Sequence, residues 1–337
     1  MITEPEKAYI LGGTYRVPIA AGMFSPTFIS DLKREGTFNE ASFEREYGSK
    51  WTGTVEDAFF NGEKIERCRV LNKPEKEYSA KMGKQAYYIL SVDVGRKDDA
   101  SEITVFKVTP QEKGDSYKNI VNLISLENMH FEDQAIMIKE LYYKYKARRI
   151  VIDGNGLGIG LLDIMVRPNV RDGEYYPPFG VYGGTYADAG QEYKQYRTND
   201  TELDAIYVVK ANAPINSEAH SITQMNINSG KLRLLIDERA AKAKLLGTKI
   251  GQAMTPEQRN EYLMPYHLTS VLRDQMLNLR EETEGVNIIL KQASRSIKKD
   301  KVSSLEYGLY YLKQEEDSRK KRKKFNAKDW KLYTTSK

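Results

Sequence analysis

From residue 85 onward the apolar and polar positions fall into two alternating periods. Apolar runs at 87–94, 102–108 and 119–126 predict three strands ahead of any helix. The Gly114-Asp115-Ser116 loop between the second and third makes an antiparallel meander the simplest connection. Ile136, Ile138 and Leu141 then mark a helix over 132–146. The stretch ARRIVIDGNGLGIGLLDIMV at 147–166 reads as a short buried strand, a glycine-rich turn and a helix. Further strands are expected at 178–183, 205–209, 231–236 and 286–290, and helices at 215–227, 238–248 and 258–281. A last helix is expected from about Val302, where Ser303 and Glu306 have capping-box spacing and Val302, Leu305, Leu309 and Leu312 share one face. Residues 1–84 carry only short apolar pieces, and Pro74-Glu75-Lys76-Glu77 reads as a linker. The pattern therefore predicts an N-terminal appendage over 1–84, an α/β domain over 85–317 and a tail over 318–337.

Composition narrows this picture. The chain has 337 residues, 40% of them hydrophobic, which is enough to build a substantial core. With one cysteine, Cys68, no intramolecular disulfide can form, and the three histidines show no zinc-binding spacing. No apolar run reaches 18 residues, so no membrane partner and no secretion are expected. The net charge is +5, but RKKRKK at 319–324 alone carries six positive charges. A second basic stretch, KQASRSIKKDK at 291–301, sets Lys291, Arg295, Lys298, Lys299 and Lys301 around a single acid, Asp300. That pattern suits a polyanion held near one carboxylate, although a solvated face would look the same.

The acids at strand ends change the picture most. Asp93 closes one apolar run and Asp153 another, and the chain turns at a glycine soon after each. A meander followed by a helical crossover makes the two strands neighbours, which brings both carboxylates to one sheet edge. Two carboxylates there repel, and a shared divalent cation removes the repulsion; hard oxygen donors favour Mg²⁺ or Mn²⁺. Asp300, at the start of a helix, would be a third ligand. Each acid also has an ordinary explanation, as a turn cap or as a helix N-terminal acid. The GNGLGIG turn lacks the Lys-Ser/Thr of a Walker A loop, and no such loop occurs elsewhere in the chain.

Three segments, SVDVGRKDDASEITVF, RRIVIDGNGLGIGLLDIM and SIKKDKVSSLEYGLYYL, resemble in order the nuclease half of the large terminase subunit of tailed bacteriophages, a member of the RNase H-like superfamily. The resemblance covers roughly residues 85–315. Upstream, residues 24–53 resemble the stretch that joins the terminase ATPase core to the nuclease. The resemblance implies an RNase H-like mixed sheet and a two-metal-ion endodeoxyribonuclease, with Asp93, Asp153 and Asp300 binding two Mg²⁺ or Mn²⁺ ions. Asp98 and Asp99 would make outer contacts only. The substrate implied is double-stranded DNA, cut from a concatemer during genome packaging in the host cytoplasm, with Arg295, Lys298, Lys299 and Lys301 on its backbone. The portal protein and the small terminase subunit are the implied partners. Without Walker motifs the resemblance implies no ATPase activity for this polypeptide, which is expected to be an excised fragment or a split-gene product. Two other readings remain open: an actin-like or sugar-kinase-like ATPase, and a non-catalytic DNA- or portal-binding module.

Overall fold

The structure of the protein is a computed structural model that describes residues 14–34, 57–80, 85–95, 100–112, 114–182, 203–284 and 286–333. The chain divides into two units, Met1–Glu56 and Asp57–Lys337. Among its described residues the first has two short helices, α1 (Arg16–Ala20) and α2 (Phe28–Arg34), with the Phe24 and Phe28 rings stacked at 4.6 Å just before and at the start of the second.

The second unit opens with α3 (Gly62–Cys68), whose N-terminus is capped by Asn61, and runs directly into the short strand β1 (Arg69–Leu71). The meander follows: β2 (Tyr87–Asp93), β3 (Ser101–Thr109) and β4 (Tyr117–Leu126). Each is largely buried on both faces because the sheet is covered on both sides. The chain crosses through α4 (Phe131–Tyr145) to β5 (Arg149–Asp153), which pairs parallel with β2. After α5 (Leu157–Met165) comes a hairpin, β6 (Asn169–Arg171) and β7 (Glu174–Tyr176), then β8 (Phe179–Val181) and β9 (Leu203–Val209). Next are α6 (Ala213–Asn228), β10 (Leu232–Leu235), α7 (Glu238–Leu246), α8 (Lys249–Ala253) and α9 (Pro256–Leu277). A second hairpin, β11 (Leu279–Glu284) and β12 (Asn287–Gln292), leads to the long helix α10 (Asp300–Tyr333).

Eight strands form one sheet in the order β1-β10-β4-β3-β2-β5-β9-β8. Its central run, β4-β3-β2-β5-β9, is an antiparallel meander continued by parallel crossovers, the RNase H-like arrangement expected from the sequence. Helices α4 and α5 cover one face, where Leu90, Val92, Ile138, Ile150, Leu161 and Leu162 form a closed core. Helix α10 lies against the other, and Gly308 is what lets it approach. A side chain there would meet the Phe106 ring at 2.3 Å and the Ser91 Cβ at 3.0 Å. One turn earlier, Ser304 donates to the Ser91 carbonyl at 2.8 Å and accepts from the Thr104 amide at 3.1 Å, fixing the helix over β2 and β3. Among the described residues no helix is long and apolar enough to cross a membrane.

Three expectations are corrected. Residues 57–80 pack as part of the main unit, because β1 extends the sheet beside β10 and the expected linker is docked. There Glu75 accepts from Lys107 at 2.6 Å and also from Tyr88, so its charge is satisfied inside the fold. Helix α10 starts at Asp300 instead of near Val302; the amides of Val302 and Ser303 bond back to the Lys299 carbonyl, so Ser303 lies inside the first turn and caps nothing. The same helix continues through the basic run to Tyr333, where a separate tail was expected from 318.

Candidate metal centre

Strand register places the first two acids. Ile89 to Val92 pair in parallel with Arg149 to Ile152, so Asp93 and Asp153 stand at the same edge of neighbouring strands. Beyond Asp93, Gly95 donates to Ser101 Oγ at 2.8 Å, and Ser101 donates to Gln134 at 2.6 Å, which turns the chain away from the edge. Beyond Asp153, the Asn155 amide donates to the carboxylate at 3.1 Å and the Gly154 amide donates to the Val209 carbonyl at 2.7 Å. The glycine-rich turn has a local steric cause. A Cβ on Gly158 would lie 1.7 Å from the Asp153 carbonyl oxygen, so only glycine lets α5 pack against the strand end without displacing Asp153. The GNGLGIG sequence thus serves the carboxylate, with Gly156 at φ +52° beginning the turn.

The third acid arrives from the other face. Held by Ser304 and Gly308, α10 brings its first residue, Asp300, to the same edge. The electrostatics record the convergence: burial raises the Asp93 pKa most, followed by the charges of Asp300 and then Asp153, to about 7. Lys299 opposes the rise. Asp153 is also raised by burial, against hydrogen bonds from Asn155 and from Tyr307 on α10. Tyr307 is in turn raised far above the ordinary phenol range, by burial first and by Asp153 and Asp93 next. Asp93 itself has no hydrogen bond or ion pair to any described residue. A part-buried carboxylate in that state is costly, and the cost falls when a cation occupies the space before it.

The donor set is all oxygen, which suits a hard divalent cation. Among the described residues no three His, Cys, Asp or Glu side chains stand in an arrangement that holds an ion as they are. An open set of this kind fits a magnesium-type site, which takes one or two carboxylates and completes its shell with water and substrate phosphate oxygens.

The basic residues of 291–301 separate into two groups. Arg295, Lys298 and Lys299 are exposed beside Asp300. Lys301 is not available to DNA: its side chain is 6% exposed and its ammonium pairs with Glu102 at 2.5 Å and Ser125 at 3.0 Å. The expectation that Lys301 lies on the DNA backbone is therefore corrected. At the second helical position its side chain points into the sheet, where Glu102 needs a counter-charge. Glu102, which the sequence reading passed over, sits directly across from Asp93 in the β2–β3 register and accepts from both Lys301 and Ser125. Its signal was present as an acid inside the apolar run of 102–108. A cleft of about 630 Å³ borders Asp300 on this side, with Glu127, Asp274 and Lys298 among its walls. Asp98 and Asp99 lie outside the described residues.

With this geometry in place, the chain is similar among solved structures to the large terminase nuclease from thermophilic phage G20c with bound magnesium. The identity is 14%, the TM-score 0.44, and the match covers 76% of this chain and 97% of that one. It is similar also to the large terminase nuclease domain of Thermus phage P74-26, at 14% identity and a TM-score of 0.39 over 72% of this chain and 90% of that one. For the HK97 bacteriophage large terminase the values are 9% and 0.39, over 91% of this chain and 55% of that one. No family model and no curated protein matches the sequence. The similarity is one of chain trace, and the roles of individual residues rest on the geometry of this chain.

Proposed function

We propose that the protein is a metal-dependent endodeoxyribonuclease that cuts double-stranded viral DNA during genome packaging. The observation that carries this reading is the carboxylate edge: Asp93, unpaired among the described residues and with its pKa raised to about 7 by burial and by Asp300 and Asp153. Asp93, Asp153 and Asp300 would hold the cations, in this reading two Mg²⁺ or Mn²⁺ ions. Bound there, such ions supply the Lewis acidity that activates water and stabilises the leaving oxygen of a phosphodiester.

The chain's own residues do the rest. Asn155 orients Asp153 through a hydrogen bond from its amide to the carboxylate, and Tyr307 on α10 adds a favourable interaction with the same group. The buried Lys301–Glu102 pair fixes the start of α10, and with it Asp300, against the strand that faces Asp93. Arg295, Lys298 and Lys299 attract the phosphate backbone without reading bases, so cleavage is nearly independent of sequence. In this reading the chain works in the host cytoplasm beside a portal protein and a small terminase subunit.

The test is linearisation of a supercoiled plasmid with Mn²⁺, with Mg²⁺ and with EDTA. Cleavage that needs the metal and is lost in Asp153→Asn supports the reading; cleavage in EDTA, or none with any metal, refutes it.

A further inference from the structure

The opposite edge of the sheet carries a second built cluster, of the other sign. Glu315 on α10 is 5% exposed, and its carboxylate accepts from Tyr87 at 2.6 Å, Arg148 at 3.0 Å and Arg319 at 2.8 Å. One buried negative charge thus organises two guanidinium groups, which remain 44% and 40% exposed. Both also lie over the Tyr87 ring, at 4.6 and 5.5 Å. Next to Arg148, Arg149 stacks on the Tyr182 ring at 4.1 Å, and its Nε has no hydrogen-bond partner. Lys320, the first residue after Arg319, is half-exposed and held by Asp115 at 2.8 Å. Two arginines thus face one carboxylate with Arg149 beside them, and the same helix goes on through Lys321, Arg322, Lys323 and Lys324.

Preorganised guanidinium groups of this kind match phosphate oxygens in pairs of hydrogen bonds, and aromatic platforms fix their planes with little entropy left to lose. At about 1.5 Å per residue, α10 sets Arg319 about 28 Å from Asp300, so one phosphate cannot meet both clusters. We propose that this edge is a second contact surface for duplex DNA, on which Arg148, Arg149 and Arg319 bind the phosphate backbone and the basic continuation of α10 extends the contact. The proposal rests on the nuclease reading for its choice of DNA as the polyanion. A duplex held there stays bound when the carboxylate edge is empty.

The experiment measures equilibrium binding of a fluorescent 30-base-pair duplex to the full chain in EDTA, over a range of salt concentrations. Wild type is compared with an Arg148→Gln/Arg149→Gln/Arg319→Gln variant and with a separate variant that has glutamine at 321–324. Loss of three phosphate contacts makes the log–log salt slope shallower by about 2 to 3 and weakens binding at low salt by about tenfold or more. The second variant, whose changes lie in the helix extension, shows a loss in the same direction even if the first fails to fold. Unchanged affinity and slope in both variants overturn the proposal. So does a poly-glutamate peptide that displaces the duplex more strongly than unlabelled DNA of equal charge, since the surface would then be one for an acidic protein. Plasmid cleavage by wild type with Mn²⁺ is scored separately, so failure of the nuclease reading and failure of this surface give different results.

Discussion

Helix α10 begins and ends its packed length beside a buried carboxylate, and the two ends are handled in opposite ways. At the far edge, Glu315 receives a phenol and two guanidinium groups, which leaves its charge fully compensated. At the near edge, Asp93 receives nothing from a described residue and faces two further acids. Burial alone does not separate the two, and neither does sequence context, since both residues sit in otherwise well-packed elements. Compensation does. A satisfied buried carboxylate is part of the scaffold, whereas one left unsatisfied among like charges stores a cost that only a ligand removes. Glu102, a few ångströms along the sheet from Asp93 and paired with Lys301, belongs with the first kind.

This contrast can be broken by substitution. The largest effect is expected at the unsatisfied acid: Asp93→Ala abolishes metal-dependent plasmid cleavage, by about a thousandfold or more, and circular dichroism shows an intact fold. Cleavage at the wild-type rate would move Asp93 into the scaffold class. At the satisfied positions the loss is one of stability. Lys301→Met leaves Glu102 buried and unpaired, and is expected to cost about 3–5 kcal/mol in urea unfolding. A variant of unchanged stability with weakened DNA binding would restore Lys301 to the DNA surface. A smaller loss, about 1–3 kcal/mol, follows from Glu315→Gln, which keeps the shape but weakens two charge-assisted bonds. Removing that negative charge also raises duplex affinity in EDTA if the far edge contacts phosphate.

A further expected effect is a pH dependence, and its sign is opposite to that of an ordinary paired acid. Asp93 is raised from 3.8 to about 7 in the folded protein, so between these pH values the folded chain binds a proton that the unfolded chain lacks. Stability in EDTA therefore falls as pH rises from about 4 to 7. A few degrees of Tm separate wild type from Asp93→Asn across that window, with the variant the flatter of the two. If wild type gains stability relative to the variant toward pH 7, the carboxylate has a partner after all.

Much of this was legible in the sequence, for physical reasons that differ by element. The strands ending at Asp93 and Asp153 carry unbroken or nearly unbroken apolar residues up to the acid, because they are buried on both faces. Their adjacency followed from the connection rules for a meander and a crossover. By contrast, β1 has three residues, too few for periodicity, and forms only because β10 offers an edge. The β6–β7 hairpin was missed although Asp172-Gly173, both at positive φ, is a strong two-residue turn signal. Strand β11 was read as the end of a helix because Leu279 follows α9 after a single residue, Asn278, and its chain direction is set by pairing with β12. Lys301 was misread because a lysine among lysines looks solvated. Only the packed position of α10, set by Gly308 and Ser304, turns it inward.

One thermal unfolding measurement, made at pH 7 on wild type and Asp93→Asn, each in EDTA and in Mn²⁺, tests most directly whether Asp93 awaits a cation. The expected result is a variant more stable than wild type in EDTA, because one repelling charge is gone, together with stabilisation by Mn²⁺ in wild type and little or none in the variant. A variant less stable than wild type in EDTA, or stabilised by Mn²⁺ to the same extent, would contradict the claim that Asp93 is an uncompensated acid awaiting a cation.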